Sequence, residues 1–367
     1  MNWSWRLGKI AGIDVYVHFT FLLLLGWVAL SHYTSSGSIA AAAKGLAFIL
    51  TLFGIVVLHE LGHALAARRF GIGTRDITLL PIGGVARLEK MPEKPTQELV
   101  VALAGPAVNI VLALLLFLWL QLGRGLQPTA EAVQVGGRFL DQLLWVNVSL
   151  ALFNLLPAFP MDGGRVLRAL LAMRLDYARA TQIAASIGQA IAMVFGFIGL
   201  FSNPFLVFVA FFVWLGAAQE ASLVQIRSAI SGIPVAQAMI TDFRTLAPDD
   251  SLSVAASHVL AGFQQDFPVL EGERLVGILT RSRLITGLAE KGEAARVGEL
   301  VQAGCGTVSP DELLEAVFPR LQESPHQALI VIDHDKPIGL LTAENLGEFL
   351  MIREAVQQAE LAHRPLS

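Results

Sequence analysis

The chain has 367 residues, of which 54% are hydrophobic and 15% charged, and its mean hydropathy is +0.61. Soluble domains carry roughly 25% charged residues, which argues against a soluble globular enzyme over most of this length. The net charge of −4 offers no basic surface for a nucleic-acid partner, and with Cys305 as the single cysteine any metal must be held by histidine and carboxylate.

Six apolar stretches, near 17–30, 44–70, 98–122, 139–158, 183–200 and 204–219, each approach the roughly 20 helical residues of a bilayer crossing. The expected architecture is a six-helix transmembrane core in the lipid bilayer. Arg6 and Lys9 before the first stretch would also suit a signal peptide. The small residues 40–43 lie well beyond that run, however, and a second apolar segment follows at once, which favours a retained helix. Basic residues collect in alternate connections: Arg6 and Lys9, then Arg68, Arg69, Arg75, Arg87, Lys90 and Lys94, then Arg165, Arg168, Arg174 and Arg179. The opposite connections hold Lys44, Arg124 and Arg138. Positive charge prefers the cytoplasmic side, so both termini are expected there. From Ser231 onward the composition becomes that of a soluble domain, with a boundary near 232–234.

Ionisable groups inside membrane segments are costly and usually functional. The first such cluster is His59-Glu60-Leu61-Gly62-His63. Residues four apart share a helix face, so both imidazoles can point at one zinc ion while Glu60 stays close enough to take a proton from the attacking water. The competing reading, three polar groups satisfied in a helix core, would bury them in lipid for no gain. A hydrolytic zinc site needs a third protein ligand. Asp162, in Pro160-Met161-Asp162-Gly163-Gly164, is the obvious one, because its segment runs inward like that of His59, which lies about 22 Å along its helix at 1.5 Å per residue. Pro157 and Pro160 should break the helix before it, and the glycines should give it backbone freedom. The run Ala104-Gly105-Pro106-Ala107-Val108-Asn109 is expected chiefly to pack closely against neighbouring helices, with Asn109 as a substrate or ligand-supporting contact the lesser reading. His18 in the first stretch reads as a satisfied polar anchor.

These motifs, in this order, resemble the site-2 protease family of intramembrane zinc metalloproteases over residues 1 to about 220. The resemblance implies zinc held by His59, His63 and Asp162, with Glu60 as general base and Asn154 helping to stabilise the oxyanion. It also implies that the segment 77–88 is a re-entrant β-hairpin holding the substrate as an added strand near Gly83, Gly84 and Val85. The connection from about 123 to 138 leaves no room for an inserted PDZ domain. The implied activity is hydrolysis of a peptide bond within or near a transmembrane helix of a membrane-protein substrate, such as an anti-sigma factor, a pro-sigma factor or a leftover signal peptide. A prokaryotic cytoplasmic membrane is the implied location.

The C-terminal third contains a repeat. Asp266-Phe267-Pro268-Val269-Leu270-Glu271 and Leu275-Val276-Gly277-Ile278-Leu279-Thr280 return as 327–333 and 337–342, each pair preceded by a helical stretch at 252–264 or 312–322. This resembles a tandem pair of CBS domains, 232–290 and 294–352, followed by a tail 353–367. Such α/β pairs bind adenine nucleotides in many families and can associate into homodimers. Nucleotide-binding members place an aspartate three residues after the strand-end threonine. Here those positions are Arg283 and Asn345, which favours dimerisation or docking over adenine-nucleotide sensing. Two other functions fit part of the chain: a CBS-regulated transporter or channel, which leaves the histidine motif unexplained, and a catalytically silent membrane scaffold, which would be expected to have lost a ligand or the base.

Overall fold

Residues 13–17 alternate apolar and polar, the period of a strand with one buried face. In the structure, a computed structural model describing residues 3–89, 92, 94–124, 139–262, 264–302, 305–324 and 327–362, they form β2 (Ile13–His18), with Ile13, Val15 and Val17 buried. Lys90, Arg138 and the connection 125–138 lie outside the described residues. β2 pairs antiparallel with β1 (Ser4–Ile10) through a turn at Ala11 and Gly12, both with positive φ. The first helix, α1 (Phe19–Ser36), therefore starts after 17, and His18 is not in it. His18 ends β2 and caps α1, its Nδ1 accepting from the Thr20 amide at 3.4 Å.

The following elements are α2 (Ile39–Arg68), β3 (Thr74–Leu80), β4 (Gly83–Leu88), α3 (Pro95–Arg124), α4 (Phe139–Asn154), α5 (Asp162–Ala172), α6 (Tyr177–Ser202) and α7 (Pro204–Ile230). Among the described residues, four helices, α2, α3, α6 and α7, are long and apolar enough to cross a membrane. Their outer surfaces carry exposed apolar side chains such as Leu114, Leu115, Phe197 and Phe208, whereas polar side chains such as Asn109 on α3 and Asn147 on α4 are buried. That is the arrangement of a protein solvated by lipid. α1 and α4 have 18 and 16 residues. α4 stops at Asn154, short of the expected 158, and a turn containing Pro157 and Pro160 leads into α5.

The four strands form one sheet in the order β1-β2-β3-β4, with β2 and β3 parallel and β4 at an edge. Ile13, Val15, Val17, Ile77 and Leu79 pack against Phe53, Val57 and Leu61, so the sheet rests on the helix that carries the histidine motif. Pro81 and Ile82 make the β3–β4 turn, and Gly83 leaves it with φ 137°, a conformation that side chains disfavour.

The chain divides into two units, Met1–Val224 and Gln225–Ser367. In the second, β5 (Phe267–Glu271) and β6 (Arg274–Leu279) are antiparallel, with α8 (Leu252–Ala261) before them and α9 (Arg281–Lys291) after. The pattern repeats in α10 (Leu314–Glu323), β8 (Ala328–Asp333), β9 (Lys336–Thr342) and α11 (Ala343–Ala362), with the short β7 (Thr307–Val308) parallel to β8. Even the irregularities recur, one in β5 between Val269 and Leu270 and one in β8 between Val331 and Ile332. The strand-end threonines cap the helices that follow. Thr280 accepts from the Arg283 amide at 3.4 Å, and Thr342 from the Asn345 amide at 3.1 Å.

Candidate metal centre and active site

His59 and His63 lie one helical turn apart on α2, both buried, and Asp162 is the first residue of α5. Sequence separations of 99 and 103 residues are closed by the packing of α2 and α5 about α3: Asp162 Oδ2 is 3.2 Å from His59 Nε2 and 3.1 Å from His63 Nε2, and the two Nε2 atoms are 3.1 Å apart. Among the described residues this is the group that could hold a metal ion.

The outer nitrogens decide what the inner ones offer. His59 Nδ1–H donates to Asn109 Oδ1 at 2.6 Å, and His63 Nδ1–H donates to the Val101 carbonyl at 2.7 Å. Neutral imidazoles so tied present Nε2 lone pairs. With both rings neutral, two lone pairs and a carboxylate oxygen converge, a donor set suited to a cation. The spacing fits one: four-coordinate zinc with nitrogen and oxygen ligands at about 2.0–2.1 Å sets ligand atoms about 3.3–3.4 Å apart.

Asn109, expected mainly as a packing residue, thus holds the His59 ring in place. It is fully buried, and its Nδ2 donates to Asn147 Oδ1 at 3.4 Å. The small residues around it do pack as expected. Gly62 lies against the Ala104 carbonyl, and Gly105 faces both imidazoles, where a Cβ would lie 2.7 Å from His59 Nε2. Gly163 and Gly164 serve differently from the expectation. Neither has positive φ, and both lack a Cβ because the backbone of residues 155–159 presses on them.

Glu60, half-buried on α2, accepts a hydrogen bond from the Ala86 amide on β4 at 3.1 Å. A Cβ on Gly84 would lie 2.9 Å from Glu60 Cγ, so the hairpin sits directly on this carboxylate. Gly83 and Gly84 are half-buried and Val85 is exposed. Asn154 is the half-buried last residue of α4 and makes no side-chain hydrogen bond among the described residues. Sequence reasoning missed the Val101 carbonyl and the Ala86 amide, which have no side-chain signature. It also passed over Asn147, a polar residue in an apolar helix.

Residues 47–195 match the model of peptidase family M50, and residues 235–290 and 297–351 each match that of the CBS domain. The zinc metalloprotease MJ0392 of Methanocaldococcus jannaschii is 38% identical over 281 residues, covering 76% of this chain and 78% of that protein. The putative zinc metalloprotease Rip3 of Mycobacterium tuberculosis is 28% identical, covering 96% of this chain and 94% of its own. A solved site-2 protease from Methanocaldococcus jannaschii aligns with 60% of this chain and 95% of its own at 39% identity, with a TM-score of 0.44. A membrane core with a His-His-Asp cluster, a carboxylate beside it, and relatives of this kind along most of its length make the chain a member of peptidase family M50, the site-2 proteases: a zinc-dependent intramembrane endopeptidase carrying a CBS pair.

Proposed function

We propose that His59, His63 and Asp162 are the zinc ligands, that Glu60 is the general base, and that Asn154 helps hold the oxyanion. The observation that carries this reading is the convergence of three ligand atoms within 3.1–3.2 Å while both Nδ1 atoms are committed elsewhere. When bound, zinc polarises a carbonyl and brings the pKa of a water from 15.7 to roughly 7. Glu60 has one oxygen held by the Ala86 amide, which leaves the other to accept a proton and pass it to the leaving amine.

The substrate pairs with β4. That strand is a sheet edge, and its Ala86 amide donates to Glu60, which sets the edge beside the base. A transmembrane helix shields its own peptide bonds. A segment unwound and added beside Gly83, Gly84 and Val85 would regain hydrogen-bond partners while its backbone lies next to Glu60.

In this reading α1 and α4 complete six crossings, residues 1–225 form the protease domain, and both termini face the cytoplasm of a prokaryotic cell, as the loop charges support. The CBS pair serves dimerisation or docking. Arg283 and Asn345 replace the ribose-holding aspartate, and Asn345 Oδ1 is buried without a hydrogen-bond partner among the described residues. Titration of the full chain with ATP, ADP and AMP tests this, and saturable binding would restore the nucleotide role. The protease mechanism is tested by zinc content and cleavage of a single-pass substrate for wild type and Glu60→Gln. The variant should keep one zinc and lose cleavage by about 10²–10⁴-fold. Undiminished cleavage would refute the assignment.

A further inference from the structure

A second set of buried charges lies in the protease unit, and none of its members has a role above. Arg168, on α5, is fully buried. Its Nε donates to Glu98 Oε1 at 2.8 Å, one terminal nitrogen donates to the same oxygen, and the other donates to Glu220 Oε1. The rings of Phe159 and Tyr177 lie 5.0 and 4.9 Å from its Cζ. Glu98 is in the first turn of α3, Tyr177 opens α6, Glu220 is on α7, and Phe159 lies in the turn before α5. One guanidinium thus ties four elements to the helix that begins with Asp162.

The placement brackets that aspartate. Phe159, three residues before Asp162, is itself buried under the guanidinium, and Arg168 follows Asp162 on the same helix. The network also reaches the other side of the ligand cluster. Glu98 precedes Val101 by less than one helical turn, and the Val101 carbonyl holds His63 Nδ1–H. A buried charge cluster seldom stabilises a fold better than packed apolar side chains would, so its value lies in fixing one geometry.

We propose that Arg168 is a positioning residue for the metal centre, holding Asp162 against the two imidazoles through α5 and the Phe159 turn. The inference rests on Asp162 being the third ligand. It is tested on the full-length protein in detergent, comparing wild type, Arg168→Met, Arg168→Lys and Glu220→Gln. Zinc affinity is measured by chelator competition, and ligand geometry by the visible absorption of the cobalt(II)-loaded protein.

Arg168→Met should bind zinc about 10–100-fold more weakly, the range seen when groups supporting a ligand are lost, with weakened or shifted cobalt bands. Arg168→Lys should recover part of the loss. Glu220→Gln, which keeps the pair with Glu98, should move less in the same direction. Arg168→Met with unchanged zinc affinity and an unchanged cobalt spectrum would overturn the proposal and leave the network a role in helix packing alone. Should that variant not fold, the same criterion applies to Glu220→Gln. A wild type that takes up no zinc overturns the ligand assignment itself, whereas a zinc-loaded wild type beside an indifferent Arg168→Met overturns only this inference.

Discussion

Truncating Asn109 to alanine isolates the support of one proposed ligand, His59. The bond it removes, His59 Nδ1–H to Asn109 Oδ1, is 2.6 Å long between buried groups. Asn147 Oδ1 loses its donor in the same change. A buried polar group left unsatisfied costs about 1–3 kcal/mol. The freed imidazole can also move its proton to Nε2, where it no longer offers a lone pair. Loss of such an outer hydrogen bond weakens metal binding by about 10–100-fold, or about 1.4–2.8 kcal/mol at 1.4 kcal/mol per decade, which matches the desolvation figure. Chelator competition on the purified protein should therefore show the zinc Kd raised by that factor, with cleavage largely recovered at saturating zinc. Asn109→Asp keeps an acceptor at the same place and should hold zinc far better than the alanine variant. An alanine variant with the wild-type Kd, or an aspartate variant as weak as alanine, would refute the reasoning.

Gly105→Ala places a methyl 2.7 Å from His59 Nε2 and against His63, so zinc affinity should fall further than in Asn109→Ala, as read by the same competition. Gly84→Ala puts its methyl 2.9 Å from Glu60 Cγ and Val56 Cγ1. With Glu60 as the proposed base and not a proposed ligand, zinc content should stay at one per chain while kcat falls by about 10²-fold, the penalty of a misplaced catalytic group. The loss should be greater for a helical substrate than for an extended one, and equal losses would count against strand addition. Asn147→Leu removes the next link beyond Asn109, and in a double-mutant cycle its effect on zinc affinity should vanish in the Asn109→Ala background.

The site was legible where its logic is local. His59 and His63 announce themselves because four-residue spacing is a property of the helix, and Asp162 because a carboxylate is conspicuous among apolar neighbours. The hairpin was legible in the alternation of 77–88, yet its membership of a four-stranded sheet was not: β2 pairs with β3 across two intervening helices, and no local signal reports such a partner. Residues 13–17 alternate apolar and polar, but the neighbouring apolar run of α1 drew Val17 and His18 into the first expected helix. Main-chain partners, the Val101 carbonyl and the Ala86 amide, leave no trace in side-chain identity. The roles of Gly163 and Gly164 followed from tertiary contact with residues 155–159, which the φ argument could not anticipate.

The proton arrangement at the two histidines is shaped from outside them. Within α4, the Leu143 carbonyl can only accept, so Asn147 turns its Nδ2 to it at 2.9 Å and offers Oδ1 in the other direction. Asn109 must then meet that oxygen with Nδ2, which aims its own Oδ1 at His59. His59 then donates from Nδ1, which leaves Nε2 as the nitrogen whose lone pair the neutral ring can offer. His63 reaches the same state in one step, because the Val101 carbonyl also can only accept. Reversing either asparagine amide would set oxygen against oxygen, at Asn147 Oδ1 for Asn109 and at the Leu143 carbonyl for Asn147, in a buried, lipid-surrounded core without water to relieve it. Two main-chain carbonyls, one on α4 and one on α3, thereby set Nε2 of each histidine toward Asp162, and the neutral tautomer they favour is the one whose lone pairs a cation can take.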